Sequence, residues 1–305
     1  YIIRPLFYEK SRKQMAEALV GIIGGSGVDQ IEGLVNQEWR EVNSPFGCPS
    51  DKLLFGQIAD HPIVFLPRHG RGHRLSPSSI NYRANIDALK RSGVTDIVSL
   101  SAVGSLKEEY QPGHFVLVDQ FIDRTFAREK TFFEAGCVAH VNFAQPISNR
   151  LKDALYDSCR KLNIPSHKNG TYICMEGPQF STVAESNLYR SWDCDVIGMT
   201  NMPEAKLARE AELPYATVAM VTDFDCWHPE HESVTVESVI KVMGKNTQNA
   251  CNLLRDVLPN IGNRPEVDIQ GGDRALDVAL VTQPSLRDPL VVGKLDAIAG
   301  RVLNN

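Results

Sequence analysis

The stretch TDFDCW, residues 222–227, places two carboxylates one residue apart immediately after an apolar run. That run, YATVAMV over residues 215–221, is typical of a buried strand. Asp223 and Asp225 are therefore predicted to stand at a strand tip with both side chains pointing the same way. Two adjacent, partly buried carboxylates raise each other's pKa, and one of them then keeps its proton near neutral pH. The pair is a candidate general acid.

A protonated carboxyl at Asp223 presents one donor and one acceptor, which match the N7 acceptor and the N6 donor of adenine. Our hypothesis is that Asp223 holds adenine by this edge and gives a proton to N7. Protonation at N7 makes a purine a better leaving group from C1′ of a ribose. A solvated turn or a helix cap is the alternative interpretation of this stretch taken alone.

The stretch PRHGRGHR follows a predicted strand and crowds five basic side chains into seven positions. They are Arg68, His69, Arg71, His73 and Arg74. Arginine presents a planar fork of donors suited to phosphate, and histidine adds further donors. A solvated basic loop is one alternative. A metal site on the HxxxH spacing is disfavoured, because guanidinium groups repel cations and no glutamate lies between the histidines.

The stretch GIIGGSG, residues 21–27, leaves the first predicted strand in a glycine-rich turn. Such a turn lets backbone N–H groups approach a phosphate, and Ser26 adds a hydroxyl donor. Gln30 stands where the dinucleotide-binding pattern requires its third glycine, and the GK[ST] of a P-loop is missing. A tight turn and an anion site both remain open for this stretch.

Three further stretches place small, hydroxyl-bearing or aromatic residues at predicted strand ends. They are SLSAVGSL at 99–106, CMEGPQFST at 174–182 and GMTNMPE at 198–204. A small residue at a strand tip lets a ligand lie against the backbone, and hydroxyls can bind it by hydrogen bonds. For each stretch alone, ordinary packing is the alternative, since Phe and Met are usually core residues.

The elements that would position these residues alternate between short apolar runs and amphipathic patterns. Strands are predicted at residues 19–24, 52–58, 62–66, 95–101, 114–122, 171–175, 195–199 and 215–223. Helices are predicted near residues 78–92, 148–162, 182–192, 203–212 and 234–257. Such an alternation indicates an α/β fold: a single domain with a central mixed, largely parallel β-sheet flanked by helices. Ligands gather at the C-terminal ends of strands in such sheets, where the stretches above lie.

The two ends of the chain differ from this pattern. Residues 1–14 precede Met15 and are interpreted as an N-terminal extension, with residues 15–262 as the domain. Residues 263–305 are interpreted as a Gly/Pro-rich linker followed by a helical tail. The apolar face of this tail would need a neighbour, such as another subunit, to cover it.

Composition excludes several classes of function. The 305-residue chain has a formal charge of −5, which argues against a general nucleic-acid binder, because such proteins show a basic stripe. No run approaches the ~18–20 apolar residues of a membrane span, so no membrane partner is expected. Seven cysteines, never spaced as CxxC, indicate a reducing compartment, taken as the cytoplasm, without disulfides or a zinc site.

Taken together, the stretches resemble in order and spacing the trimeric purine nucleoside phosphorylase family, and within it the branch that acts on S-methyl-5′-thioadenosine. The resemblance spans about residues 18–262. It rests on GIIGGSG, RHGRGH, NYRANIDAL, SAVGSL, PGHFVLVDQFIDRT, EGPQFST, GMTNMPE and TDFDCW. It implies the nucleoside phosphorylase fold and a reaction of purine and methionine salvage, in which phosphate attacks C1′ of a nucleoside. The products would be a pentose 1-phosphate and a free base.

The resemblance also implies site residues, with Asp223 and Asp225 as the catalytic pair. The phosphate site would consist of Ser26, Arg68, His69, Ser101, Ala102 and Thr200. The base and sugar site would consist of Phe180, Ser181, Asp223, Asp225 and Met199, with Val236 beside the 5′ substituent. His140 matches a histidine that the family places near the 5′ group of a neighbouring subunit. The tail beyond Leu276 would complete the apolar 5′ pocket, as a C-terminal helix of an adjacent subunit does in relatives.

The resemblance implies no metal and no organic cofactor, with phosphate as a co-substrate. The partners would be a nucleoside, phosphate and further copies of this chain, in a homotrimer or, as in some relatives, a hexamer. Relatives that act on 6-oxopurines have Asn at the position of Asp223, so the aspartate favours adenine nucleosides. The alternatives are a phosphorylase for 6-oxopurine nucleosides or methylthioinosine, a non-catalytic purine-binding protein, and a water-using nucleosidase, which the Arg68/His69 cluster disfavours.

Overall fold

The computed structural model of the protein describes residues 15–25, 33–229 and 236–304. Its strands are β1 Met15–Glu17, β2 Val20–Gly24, β3 Val35–Arg40, β4 Leu53–Ile58, β5 His61–Pro67, β6 Asp96–Ser105, β7 Phe115–Leu117, β8 Gln120–Asp123, β9 Ser166–Lys168, β10 Thr171–Cys174, β11 Val196–Gly198, β12 Tyr215–Asp223 and β13 Asn263–Pro265. Its helices are α1 Tyr82–Arg91, α2 Asn149–Lys161, α3 Val183–Ser191, α4 Asn201–Glu210, α5 Val236–Ile261, α6 Pro289–Lys294 and α7 Asp296–Leu303. None of the described helices combines the length and apolar character needed to cross a membrane.

One large mixed sheet organises the described chain. Its main path runs β3-β4-β5-β2-β6-β11-β10-β8, and β12, β7 and β9 extend from β6. Strands β2, β5, β6 and β12 run parallel, as do β8, β10 and β11. The pairs β3–β4, β4–β5, β6–β11 and β7–β12 are antiparallel. The predicted fold class, a mixed and largely parallel sheet flanked by helices, is confirmed.

Strand β6 lies at the centre of this sheet and sets where the other strands end. It pairs in parallel with β2 and β12, and its last residues, Gly104 and Ser105, pair with β11 running the opposite way. Because parallel strands end at the same edge, the residues after β2, β5 and β12 meet beside the second half of β6. The returning strand β11 delivers Met199 and Thr200 to the same edge.

Local signals in the sequence begin the helices. The Ser148 side chain accepts a hydrogen bond from Leu151 N–H at the start of α2, and Thr182 and Glu185 form a reciprocal capping box at the start of α3. The apolar faces of α2, α4 and α5 then pack against β12. These helices hold the central strands in one rigid core.

One predicted strand is wrong. The apolar stretch 114–122 forms two strands, β7 and β8, which have different partners: β7 pairs with β12 and β9, whereas β8 pairs with β10. The chain turns between them, where the Asp119 carboxylate accepts a hydrogen bond from Gly170 N–H at 3.0 Å. Continuous hydrophobicity does not reveal such a change of partner.

The last helix of the tail packs on its own chain. In α7, Ile298 and Ala299 are buried, and the helix packs against α1. Arg301 of the same helix donates to both carboxylate oxygens of Glu212. The neighbour that covers this part of the apolar face of α7 is therefore α1 of the same chain.

Candidate active site

A cavity of ≈ 990 Å³ opens at the edge of the sheet beside the second half of β6. Both the basic stretch after β5 and the acidic pair after β12 line it. The predicted site residues that line it are Arg68, His69, Ser101, Ala102, Phe180, Met199, Thr200, Asp223 and Asp225. The two candidate groups thus share one cavity that is large enough for a nucleoside and a phosphate.

The acidic pair reaches the cavity by a different backbone from the predicted one. Strand β12 ends at Asp223, and Asp225 lies in a turn with φ of +52°, so the alternation of an extended strand does not align the two side chains. Instead, Asp225 N–H donates to Asp223 Oδ1 at 2.8 Å, and the Thr222 hydroxyl donates to Oδ2 at 2.6 Å. The turn brings the carboxylates together and fixes the orientation of Asp223.

The environment of the pair favours a protonated carboxyl. Burial raises the pKa of Asp223, and the charge of Asp225 raises it further, against the two hydrogen bonds just described. Burial also raises the pKa of Asp225, which neighbouring hydrogen-bond donors partly oppose. The predicted direction of the pKa shift at Asp223 agrees with the structure, and its first cause is loss of solvent.

Gly104 makes room for this pair. A Cβ atom at that position of β6 would lie 2.9 Å from Asp223 Oδ1 and 3.3 Å from the Cβ of Asp225. Both distances are shorter than ordinary van der Waals contacts, so a residue larger than glycine would displace the Asp223 carboxyl. The sequence stretch SAVGSL therefore includes a glycine required by close approach.

At the opposite end of the cavity, Arg68 is buried and already paired. Its side chain is 2% exposed, and it donates to Glu204 through Nε at 2.7 Å and through Nη2 at 3.0 Å. Burial opposes its charge, but the Glu204 carboxylate raises the pKa of Arg68 above its ordinary value. The Arg68 guanidinium is therefore a cation fixed in position by an ion pair with Glu204.

His69 and His73 line the cavity beside Arg68. Their rings stack with centroids 4.1 Å apart. His69 Nδ1 donates to the Leu75 carbonyl at 2.9 Å, which leaves Nε2 as the acceptor nitrogen of the neutral ring. Burial lowers the pKa of His69 to about 4, with Arg68 and His73 adding to that effect. The ring is neutral at neutral pH.

Hydroxyl groups complete this end of the cavity. Ser101 Oγ lies 3.4 Å from Thr200 Oγ1 and 3.2 Å from the hydroxyl of Tyr172, which is fully buried. Gly198 allows the phenol to reach this position, because a Cβ there would lie only 1.9 Å from the Tyr172 oxygen. These hydroxyls can donate to an oxyanion without adding charge.

The remaining surface of the cavity is mainly apolar. Phe180, which is 45% exposed, and Met199 lie along it. Helix α5 adds a further strip, formed by Val239, Ile240, Met243, Gly244 and Thr247. None of the described tail residues lines this cavity, so within one chain α5 provides the apolar side.

Arg128 fixes the backbone on which Met199 stands. Its guanidinium donates to the carbonyls of Met199 and Met202 at 2.7 and 2.6 Å, and to the Glu176 side chain at 3.1 Å. Its side chain is almost fully buried. This arginine ties the stretches EGPQF and GMTNM to each other beside the cavity.

Four predicted site residues are not part of the cavity surface described here. Ser181 is next to lining residues rather than among them: its hydroxyl donates to the sulfur of Met175 at 3.6 Å, and its carbonyl accepts from the Cys226 thiol at 3.3 Å. His140 is exposed away from the cavity, and its N–H donates to the Ala279 carbonyl at 2.9 Å. Ser26 and the side chain of Val236 lie outside the described residues.

Sequence reasoning missed Glu204, Tyr172, Arg128 and the role of Gly104. Glu204 stands in GMTNMPE, but its partner Arg68 is 136 positions away, and no local spacing connects them. Tyr172 has the pattern of a core residue in a buried strand. A signal in the sequence was available only for Tyr172, whose hydroxyl in a buried strand needs a hydrogen-bond partner.

Comparison with known proteins identifies relatives of this chain. The family model described as the phosphorylase superfamily matches residues 19–259. An S-methyl-5′-thioadenosine phosphorylase of Rhodospirillum rubrum is 58% identical over 287 residues, covering 94% of this chain and 98% of the relative. Another of Geobacter sulfurreducens is 48% identical over 285 residues, covering 93% of this chain and 99% of that protein.

Solved structures give the same picture of the fold. A methylthioadenosine phosphorylase from an antarctic soil metagenomic library matches with a TM-score of 0.87 and 45% identity, covering 92% of this chain and 99% of that one. A variant of the adenosine/methylthioadenosine phosphorylase of Schistosoma mansoni, solved with methylthioadenosine, matches with a TM-score of 0.79 and 36% identity. That match covers 90% of this chain and 100% of the other.

Proposed function

The chain belongs to the phosphorylase superfamily, and we propose that it catalyses the phosphorolysis of S-methyl-5′-thioadenosine to adenine and 5-methylthioribose 1-phosphate. One observation supports this reaction above all: the Arg68 and Asp223 ends lie in the same cavity. A nucleoside between them can meet an oxyanion at its sugar and an acid at its base. Separate cavities would have excluded that arrangement.

At the Arg68 end, inorganic phosphate is the nucleophile and a co-substrate. Arg68, Ser101, Thr200 and the backbone of Ala102 hold it below the sugar, and the neutral His69 ring can accept through Nε2 from the protonated oxygen of the phosphate. A phosphate oxygen forms a bond to C1′ while the N9–C1′ bond breaks. The negative phosphate stabilises the positive charge that develops on the sugar, as preorganised groups do in other enzymes.

At the Asp223 end, the protonated carboxyl gives its proton to N7 of adenine as the bonding electrons move onto the purine. Asp225 keeps the pKa of Asp223 raised and holds its carboxyl through the backbone N–H. The proton neutralises the leaving group, and solvent returns a proton to Asp223 after adenine leaves. General acid catalysis of this kind contributes on the order of 10²–10⁴ in rate.

The choice of base and sugar follows from the chemistry of the cavity. A protonated aspartate suits the 6-amino edge of adenine, with Phe180 and Ser181 at the base and Met199 at the ribose. The apolar strip on α5 suits a methylthio group at the 5′ position better than a hydroxyl. By the family resemblance, Val236 is proposed to contact the same 5′ substituent.

The proposed assembly is a homotrimer. His140 is exposed and does not line the cavity of its own chain, which is compatible with a residue that serves a neighbour's 5′ group. Four exposed apolar side chains support burial in an assembly. They are Phe126 and Val138, which precede His140 in the chain, and Val278 and Leu290 on the tail. Seven free cysteines support a reducing compartment such as the cytoplasm.

The direct test is incubation of the purified protein with inorganic phosphate and one nucleoside at a time. We expect adenine and a pentose 1-phosphate from S-methyl-5′-thioadenosine, formed only when phosphate is present. Faster cleavage of inosine or methylthioinosine would reject the proposed substrate. Adenine release that does not depend on phosphate would replace phosphorolysis with hydrolysis.

A further inference from the structure

Glu204 lies behind Arg68 and does not line the cavity. Both side chains of the pair are 2% exposed, and the two carboxylate oxygens of Glu204 accept from Nε and Nη2 of Arg68. Glu204 therefore cannot contact phosphate or nucleoside in this cavity. Any effect on the reaction has to pass through the arginine.

Within residues 15–25, 33–229 and 236–304, the hydrogen bonds of Arg68 leave one of its five N–H bonds without an acceptor. Nε and one N–H of Nη2 donate to Glu204, and the second N–H of Nη2 donates to Ser99 Oγ at 2.6 Å. One N–H of Nη1 donates to the Leu100 carbonyl at 3.0 Å. The second N–H of Nη1 is the donor that remains for a ligand.

Glu204 is itself fixed from behind. Its Oε1 accepts from the hydroxyls of Ser99 and Tyr215, each at 2.8 Å. Asn201 donates to both of these hydroxyl oxygens, at 3.1 and 2.7 Å. All members of this network are buried, so each hydrogen bond restrains the carboxylate and, through it, the guanidinium.

The pair also changes what Arg68 can offer electrostatically. The carboxylate lies in direct contact with the guanidinium and cancels most of its field at a distance. His69 adds no charge, because its ring is neutral. The phosphate end therefore binds an oxyanion by directed N–H and O–H donors more than by net positive charge.

We propose that Glu204 is a positioning residue for phosphate, which holds Arg68 so that its remaining Nη1–H is directed at the bound anion. The inference rests on the proposed function, since it deepens the same site. Glu204 gives up no proton and touches no reacting atom. Its contribution is the geometry of one charge-assisted hydrogen bond.

The substitution that tests this is Glu204→Gln, which keeps the shape but turns one acceptor into an NH₂ donor facing Arg68. We expect KM for phosphate to rise about tenfold, the equivalent of one such hydrogen bond, while KM for the nucleoside stays within about twofold. Titration calorimetry with inorganic phosphate on the nucleoside-free protein should show the same rise in Kd. Glu204→Asp, which keeps both acceptor oxygens, should recover part of the loss.

Glu210→Gln is the matched control, because Glu210 is a buried glutamate on the same helix that contacts Thr131 and Phe132 rather than Arg68. It should leave KM for phosphate unchanged. A folded Glu204→Gln protein whose phosphate KM and Kd are unchanged or lower would overturn the proposal.

If Glu204→Gln does not fold, Tyr215→Phe removes one hydrogen bond to Oε1 and should raise phosphate KM by about threefold. No rise in that variant would equally overturn the proposal. A wild-type protein that binds phosphate but releases no adenine would refute the proposed function. The phosphate titration would still decide the role of Glu204.

Discussion

At the scale of single residues, Asp223 and Arg68 differ in how the protein controls their charge. Asp223 is partly buried beside another carboxyl, which favours its neutral form. Arg68 is buried beside Glu204, which keeps it charged while cancelling its field. The cavity thus combines a proton donor with a set of oriented hydrogen-bond donors.

Asp223→Asn should lower the turnover of S-methyl-5′-thioadenosine by about 10²–10⁴, because an amide cannot give a proton to N7. Steady-state assays with saturating phosphate would measure this. Asp195→Asn is a control, since Asp195 is a partly buried carboxylate that accepts from Thr171 N–H and does not line the cavity. Near-normal turnover in Asp223→Asn would reject this residue as the acid.

Asp225→Asn should change the pH dependence. The reaction needs protonated Asp223, so its rate falls as pH rises through the pKa of that group. Removing the Asp225 charge removes one cause of the raised pKa. The alkaline limb of the kcat profile should therefore move to lower pH, whereas an unchanged limb would indicate that another group controls it.

The sequence predicted that both aspartates would meet a ligand, but the stated geometry was wrong at Asp225. A period of two along a strand does not apply once the chain enters a left-handed turn, and φ at Asp225 could not be read from TDFDCW. Arg68 was predicted as a phosphate donor from its neighbours. Its pairing with Glu204 depends on tertiary contact, which a single sequence does not encode locally.

At the scale of elements, the contact of β6 with β12 decides where the acid stands. These strands are parallel, and their pairing becomes irregular between Val221 and Asp223, opposite Gly104. The strands themselves were predictable from apolar runs. The irregular pairing between β6 and β12 was not predictable, because at its end β6 pairs with both β11 and β12.

Gly104→Ala should displace the Asp223 carboxyl, since the added Cβ would lie 2.9 Å from Oδ1. We expect turnover to fall by about 10–100-fold, as small misplacements of reacting groups cost that much. Gly293→Ala is the control, because a Cβ there meets nothing within 4 Å. Equal turnover in Gly104→Ala and wild type would show that the close approach does not matter.

Helix α4 carries a pH-dependent contact at Glu210. Burial raises the pKa of Glu210 from 4.5 to about 7, against hydrogen bonds from Phe132 N–H and the Thr131 hydroxyl. The folded protein then binds this proton more tightly than the unfolded chain. The contribution to stability is full below pH 4.5 and is lost as pH rises through about 7.

Glu210→Gln should remove that dependence. The raised pKa of Glu210 corresponds to a decrease of about 3 kcal/mol in the free energy of unfolding as the pH rises from 4.5 to above about 7. Urea unfolding at pH 4.5 and pH 7.5 would measure the difference for each protein. Identical pH slopes in wild type and variant would contradict the assignment.

At the scale of the whole molecule, the cavity of one chain is open toward exposed apolar residues, including Phe180 and Ile240. His140 lies elsewhere on the surface, near the tail. The family resemblance predicts that His140 contacts a neighbouring subunit. Which surface of that subunit it contacts depends on how a second copy of the chain binds. The tail was predicted as helical, and its packing on α1 was not, because that contact joins distant parts of the chain.

The proposed trimer predicts complementation between two inactive variants. A mixed assembly of Asp223→Asn and His140→Ala chains contains sites with an intact acid from one chain and an intact histidine from its neighbour. Activity should therefore exceed that of either variant alone, and light scattering should give three times the chain mass of 33.8 kDa. Absence of recovery in a mixed trimer would show that His140 does not serve a neighbouring site.

The most direct test of the whole account is a crystal structure with a non-cleavable S-methyl-5′-thioadenosine analogue and phosphate. We predict purine N7 within about 3 Å of the Asp223 carboxyl and a phosphate oxygen at the same distance from Arg68 Nη1, with C1′ between them. A nucleoside that meets one of these side chains but leaves the other beyond contact would contradict the proposed mechanism.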